Sequence, residues 1–113
     1  MPKRAQTREE ALASAKAKAR YLLEEGYSFS PVLESPGEFR CDLPEKERVS
    51  RENSRAKNPQ ATYYNLYTYK DGAGRIGAVC GCWFYSEYHF CKHSLRLVFE
   101  IKKALRIVNH LAF

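Results

Sequence analysis

The run "VCGCWFYSEYHFCKHSL", residues 79–95, holds three of the chain's four cysteines and two of its three histidines. Hydrophobic packing does not require so many soft donors in one place, so the reading of this stretch governs the rest. Cys80 and Cys82 stand two apart near the end of a strand-like segment, where alternate side chains face the same way. Cys91 and His93 form a second close pair, where a helical pattern begins. Together they supply the four donors of a tetrahedral zinc site. A single residue between the first two cysteines is fewer than most zinc knuckles use, and Gly81 in that place permits a tight backbone. His89 is a rival donor that can replace Cys91 or His93. The alternative to a metal site is a set of buried reduced thiols or a redox pair. Cys41, distant in sequence, reads as a small buried apolar residue rather than a fifth donor.

Working outward, "TYYNLYTYK" (62–70) is a strand by its tyrosine and threonine content. "DGAG" (71–74) is a turn and "RIGAVCGC" (75–82) a second strand, so the first cysteine pair closes a β-hairpin. Tyr63, Tyr67 and Tyr69 share one face of the first strand, and Tyr63 and Tyr67 are expected in the core. From about Cys91 to Asn109, Leu97, Val98, Ile101, Ala104, Leu105, Val108 and Leu111 make one apolar helical stripe. At the other end, Thr7-Arg8-Glu9-Glu10 has the form of a capping box. It opens an amphipathic helix over 8–25, with Gly26 to close it. Residues 27–34 and 38–43 read as short strands around a type II turn at Ser35-Pro36-Gly37, with Phe39, Cys41 and Leu43 on one face. Residues 44–60 are polar and aperiodic apart from Val49, and read as a long basic loop. The expected fold is α+β: an N-terminal helix, a small antiparallel sheet and a C-terminal helix packed on it, in one domain spanning 1–113.

Cys-x-Cys, eight residues, then Cys-x-His, with a hairpin before and "CKHSL" opening a helix, resembles the SWIM zinc finger. The resemblance covers residues 62–105 and implies a ββα-like finger in which Cys80, Cys82, Cys91 and His93 hold one structural Zn(2+). SWIM domains bind DNA or proteins, so it also implies a macromolecular partner. The chain departs from the family in its aromatic loop, "WFYSEYHF", where a Pro-Asp or Gly-rich stretch is frequent. It also lacks the helicase, transposase or kinase region that often accompanies the finger.

Four protein ligands leave no open position for water or substrate, which marks a structural ion. No Gly-rich phosphate loop or Ser-His-Asp arrangement accompanies the cluster, so the chain is not expected to be an enzyme or to take a small-molecule substrate. No apolar run is long enough to span a membrane. "MPKRAQTREE" has no apolar core of a secretory signal. The expectation is therefore an intracellular protein of the cytoplasm, a reducing compartment where clustered cysteines hold metal more often than disulfides. The net charge of +6 permits attraction to a polyanion. It is unevenly spread: residues 46–60 carry five Lys/Arg against two Glu, whereas 21–45 carry one against six acids.

Two function classes follow. In one, the chain binds nucleic acid, DNA before RNA, with little base specificity. Lys92, Arg96, Lys103 and Arg106, on one helical face with His110, would follow phosphates, and Arg48, Arg51, Arg55 and Lys57 would clamp from the loop. In the other, the chain is a protein-interaction adaptor that uses Trp83, Phe84, Tyr85 and Tyr88 as a hot spot.

Overall fold

The structure, a computed structural model, describes residues 7–52 and 62–111, with side chains described outside 49–52 and 108–111. Helix α1 (Arg8–Arg20) is followed by β1 (Ser28–Pro31), β2 (Glu38–Asp42), α2 (Glu45–Glu52), β3 (Tyr63–Lys70), β4 (Ile76–Cys80), α3 (Trp83–Tyr88) and α4 (Lys92–Leu111). The strands form one antiparallel sheet in the order β1-β2-β3-β4. The fold is thus α+β, with the N-terminal helix, antiparallel sheet and C-terminal helix that the sequence predicts.

Strand periodicity decides the inner face. Phe29 lies opposite Cys41, Cys41 opposite Tyr64, Phe39 opposite Leu66 and Leu66 opposite Cys80. These side chains meet Leu22, Tyr27 and Leu97 in the core, with Cys41 and Leu66 fully buried. Because side chains alternate across a strand, Tyr63, Tyr67 and Tyr69 take the other face. They are exposed, so the expectation of Tyr63 and Tyr67 in the core is corrected: Tyr64 and Leu66 fill that place. Arg40 stacks over the outer Tyr63 ring at 3.9 Å. Tyr69 lies across Gly77, where a Cβ would sit 2.3 Å from the tyrosine ring.

Helix α1 begins as read. Thr7 Oγ1 accepts from the Glu10 amide at 3.1 Å, although the Glu10 carboxylate turns to the Thr7 hydroxyl rather than to its amide. Its buried face is Ala11, Ala15 and Ala19, small residues one turn apart that let α1 lie close against α4. The helix ends at Arg20, five residues before the expected end, and continues as turns to Gly26, which has φ +100°. Two tertiary demands shorten it. Leu22 enters the core, and Arg96 of α4 donates to the carbonyls of Ala19 and Arg20 at 3.2 and 2.8 Å, taking acceptors that a continuing helix would use.

The first strand is shorter than read, four residues, because Val32–Gly37 turns. Glu38 N donates to Ser35 O at 3.0 Å around Pro36 and Gly37 (φ +87°), the expected type II turn. Residues 45–52 form helix α2, not loop; Pro44 precedes it and Glu45 and Glu47 occupy its first turn, where acids suit the helix dipole. The aromatic loop is likewise partly helical, as α3. Among the described residues no helix is long and apolar enough to cross a membrane.

Candidate metal centre

The hairpin delivers Cys80 at the end of β4, and Cys82 follows as the N-cap of α3. Its Sγ accepts from the Tyr85 amide at 3.4 Å. The short helix ends at His89, which holds φ 63° and donates its amide to Tyr85 O at 2.7 Å. This left-handed residue turns the chain back, so that Phe90 is buried between α1 and α3 and Cys91 returns to face Cys80. Helix α4 then starts, and places His93 inside its first turn. The ligand atoms of Cys80, Cys82, Cys91 and His93 all lie within 4.8 Å of one another, and all four residues are buried. The cluster is able to hold a metal ion.

His93 is 2 % exposed and held between the Tyr27 and Tyr64 rings, with centroids 5.4 and 5.1 Å away. Its Nδ1 faces the sulphurs, 3.6 Å from Cys91 Sγ and 3.8 Å from Cys80 Sγ. Cys91 Sγ also accepts from the Ser94 amide at 3.3 Å. Hydrogen bonds from Cys80 and Cys82, reinforced by His93, hold Cys91 well toward thiolate against the cost of burial. Cys80, facing the Cys82 and Cys91 sulphurs in a buried site, keeps its proton. Burial disfavours the charged imidazole, but the facing Cys82 and Cys91 sulphurs and the nearby Glu47 carboxylate outweigh it and raise the His93 pKa. The three sulphurs and the imidazole nitrogen thus gather as soft donors in one buried place, the arrangement that a bound cation would require. A cavity of ≈ 250 Å³ adjoins the sulphurs between Lys18 and Trp83, and offers an approach to the donors.

The remaining residues singled out by sequence divide sharply. His89 is exposed and outside the cluster, and its part is the backbone turn. Cys41 is a fully buried free thiol, as read, with its pKa pushed up to about 11 by burial. A Cβ at Gly81 would meet only Asn65 O at 3.9 Å, so that position does not demand glycine on steric grounds.

Of the expected phosphate stripe, Lys92 is half-buried and paired with Glu47 at 3.2 Å. Arg96, with its side chain 13 % exposed, pairs with Glu100 and caps α1. Lys103, Arg106 and, on α2, Arg48 are exposed. Arg55 and Lys57, and the side chain of Arg51, lie outside the described residues, as does that of His110. In the aromatic segment Trp83 is 69 % exposed, whereas Phe84, Tyr85 and Tyr88 are half-buried, with Phe84 and Tyr88 packed with Phe90 on α1.

Sequence reasoning missed Glu47. Its carboxylate, 17 % exposed, reaches from α2 to Lys92 and to His93 Nε2. Pro44 followed by Glu45 and Glu47 was the available helix-start signal, but nothing in the linear order ties Glu47 to a histidine in another element.

The class these features define is an α+β domain built around a buried candidate metal centre of three cysteines and one histidine. Compared with known proteins, the chain matches no family model, no curated protein and no solved structure.

Proposed function

We propose that the chain is a SWIM-like module organised by a structural Zn(2+) on Cys80, Cys82, Cys91 and His93, and that it binds nucleic acid, DNA before RNA, with little base specificity. The observation that carries the metal assignment is the spacing of the donors. Zn–S near ~2.3 Å and Zn–N near ~2.0 Å put tetrahedral ligand–ligand edges at roughly 3.5–3.8 Å. The two sulphur-to-Nδ1 distances, 3.6 and 3.8 Å, lie close to the roughly 3.5 Å of a sulphur–nitrogen edge, and all four donor atoms lie within 4.8 Å of one another. Three thiolates and an imidazole favour zinc over harder cations. When bound, zinc supplies a fixed tetrahedral junction joining strand β4 to helices α3 and α4; the four protein ligands complete its shell, which supports a structural rather than a catalytic part.

The nucleic-acid reading rests on charge. The chain carries +6 overall, and Lys102, Lys103 and Arg106 stand exposed together on α4. Lys92 and Arg96 serve internal contacts, so the phosphate-facing part of the stripe is its C-terminal half, with Arg48 as a further contact on α2. Phosphate contacts position a protein without reading sequence. Fluorescence anisotropy with single- and double-stranded oligonucleotides at two salt concentrations tests this. Changing Lys103 and Arg106 together to Glu should weaken all sequences alike, reduce the salt slope by about two, and leave zinc in place. If the wild-type chain ignores both kinds of oligonucleotide at low salt, the reading fails. The protein-adaptor reading, centred on Trp83, then takes its place.

A further inference from the structure

We infer that Glu47 is the outer-sphere partner that orients His93 for the metal and ties helix α2 to the metal centre. This deepens the metal-centre reading above and rests on it.

The geometry is two-sided. Nδ1 of His93 faces the sulphurs, so Nε2 points away from them, toward α2. There the Glu47 carboxylate meets it, with Oε1 at 3.4 Å. That distance is longer than a well-formed N–H···O bond, and Nε2 is a buried atom without a hydrogen-bond partner among the described residues. Glu47 Oε2, also buried, lacks one too, although Lys92 Nζ stands 3.2 Å away as a charge contact. Buried polar atoms are ordinarily satisfied. Here an unpaired nitrogen and a carboxylate face each other directly. A cation on Nδ1 fixes the tautomer with hydrogen on Nε2, which makes Nε2 a donor aimed at the carboxylate. Ligating histidines ordinarily donate their second N–H in this way, and the partner sets ring orientation and ligand basicity.

Placement on the chain supports the same assignment. Glu45, Lys46 and Arg48 of α2 are exposed, and Glu47 is turned inward between them. Of the α2 side chains described, residues 45–48, Glu47 is the one that forms ion pairs with α4. Filling the metal site therefore holds α2, and with it the basic Arg48, against the finger. Emptying the site loosens α2 first.

The test uses the full chain as wild type, E47Q, E47A and K92M. Zinc and cobalt(II) affinities are measured by competition with a chromophoric chelator. Hydrogen exchange is followed at the amides of residues 45–52. E47A should bind both metals about 10- to 100-fold more weakly. E47Q, which keeps an acceptor oxygen but not the charge, should fall between E47A and wild type. K92M removes the other Glu47 partner and should stay within about twofold of wild type. The visible bands of bound cobalt should shift in E47A, because they report the field of Nδ1. Exchange at 45–52 should quicken when wild type is stripped of metal, and should be fast already in loaded E47A. The inference is overturned if E47A and E47Q bind as tightly as wild type. It is equally overturned if K92M loses as much as E47A, since Glu47 would then act through the lysine. Should E47A fail to fold, E47Q against K92M decides by the same comparison. A wild-type chain that takes up neither metal removes the metal-centre reading together with this one. A chain that takes up metal regardless of residue 47 removes this inference alone.

Discussion

Replacing Arg96 by alanine tests whether the last helix spends its charge on internal contacts or on phosphates. The guanidinium donates to Ala19 O and Arg20 O at 3.2 and 2.8 Å, pairs with Glu100 at 2.8 Å, and lies 5.4 Å from the Phe99 ring centre. Hydrogen bonds to charged groups contribute about 1.5–3 kcal/mol each when shielded. The bond to Arg20 is exposed and its carbonyl can rehydrate, so it counts for the lower end or less. The Glu100 pair, with Glu100 31 % exposed, adds about 0–1 kcal/mol. Truncation should therefore cost roughly 2–4 kcal/mol. For a domain of this size that corresponds to a fall in Tm of roughly 6–16 °C. The assay is urea and thermal unfolding of the metal-loaded protein by far-UV circular dichroism, with hydrogen exchange at residues 15–20 to localise the loss. The double change K103E/R106E is the contrast: both side chains are exposed, so stability should stay within about 0.5 kcal/mol of wild type. The reasoning is refuted if R96A is as stable as wild type with unchanged protection at the end of α1, yet loses nucleic-acid affinity as the double variant does.

Other outcomes follow from particular residues. Leu66→Ala removes a fully buried side chain from a central strand and should cost about 2–5 kcal/mol by urea denaturation. Cys41 is an acid whose folded pKa, about 11, lies above the ordinary 9.0. The native state therefore keeps a proton that the unfolded chain releases, and stability should fall between pH 9 and 11 by roughly 2–3 kcal/mol. Unfolding midpoints at pH 8 and 10.5 should diverge less in Cys41→Ala than in wild type. His89→Gly relieves a left-handed residue that is exposed and outside the cluster, and should be neutral or stabilising by up to about 1 kcal/mol. Elemental analysis of that variant should still find about one zinc per chain; loss of metal would make His89 a ligand after all. Chelation of wild type should expose Leu97 and the start of α4, read as new hydrogen exchange there, because structural zinc contributes roughly as much as a small domain's whole stability.

Much of this protein is written in local pattern. Strand alternation at Phe39, Cys41 and Leu43 and at the β3–β4 hairpin, the Pro36-Gly37 turn and the helical stripe from Leu97 each depend on residues within a few positions of one another, although of that stripe Leu97, Val98 and Ile101 reach the core while Ala104 and Leu105 stay exposed. The candidate donors were readable for the same reason: both pairs have short spacing, and a strand end and a helix start each aim a pair in one direction. What the sequence left open depends on contacts across large separations. Which face of β3 turns inward was not decided by its tyrosines, because both faces carry them; Leu66, opposite Phe39 and Cys80, settles it. The end of α1 was set by an arginine 76 residues away that takes its last carbonyls. Helix α2 has no apolar stripe to announce it, and its inward residue is an acid whose partners, Lys92 and His93, belong to α4. The same tertiary arrangement divides the predicted basic stripe, since Lys92 and Arg96 meet acceptors within the fold while Lys103 and Arg106 meet none among the described residues. Periodicity tells which side chains share a face; only the packed chain decides which of their charges are already answered.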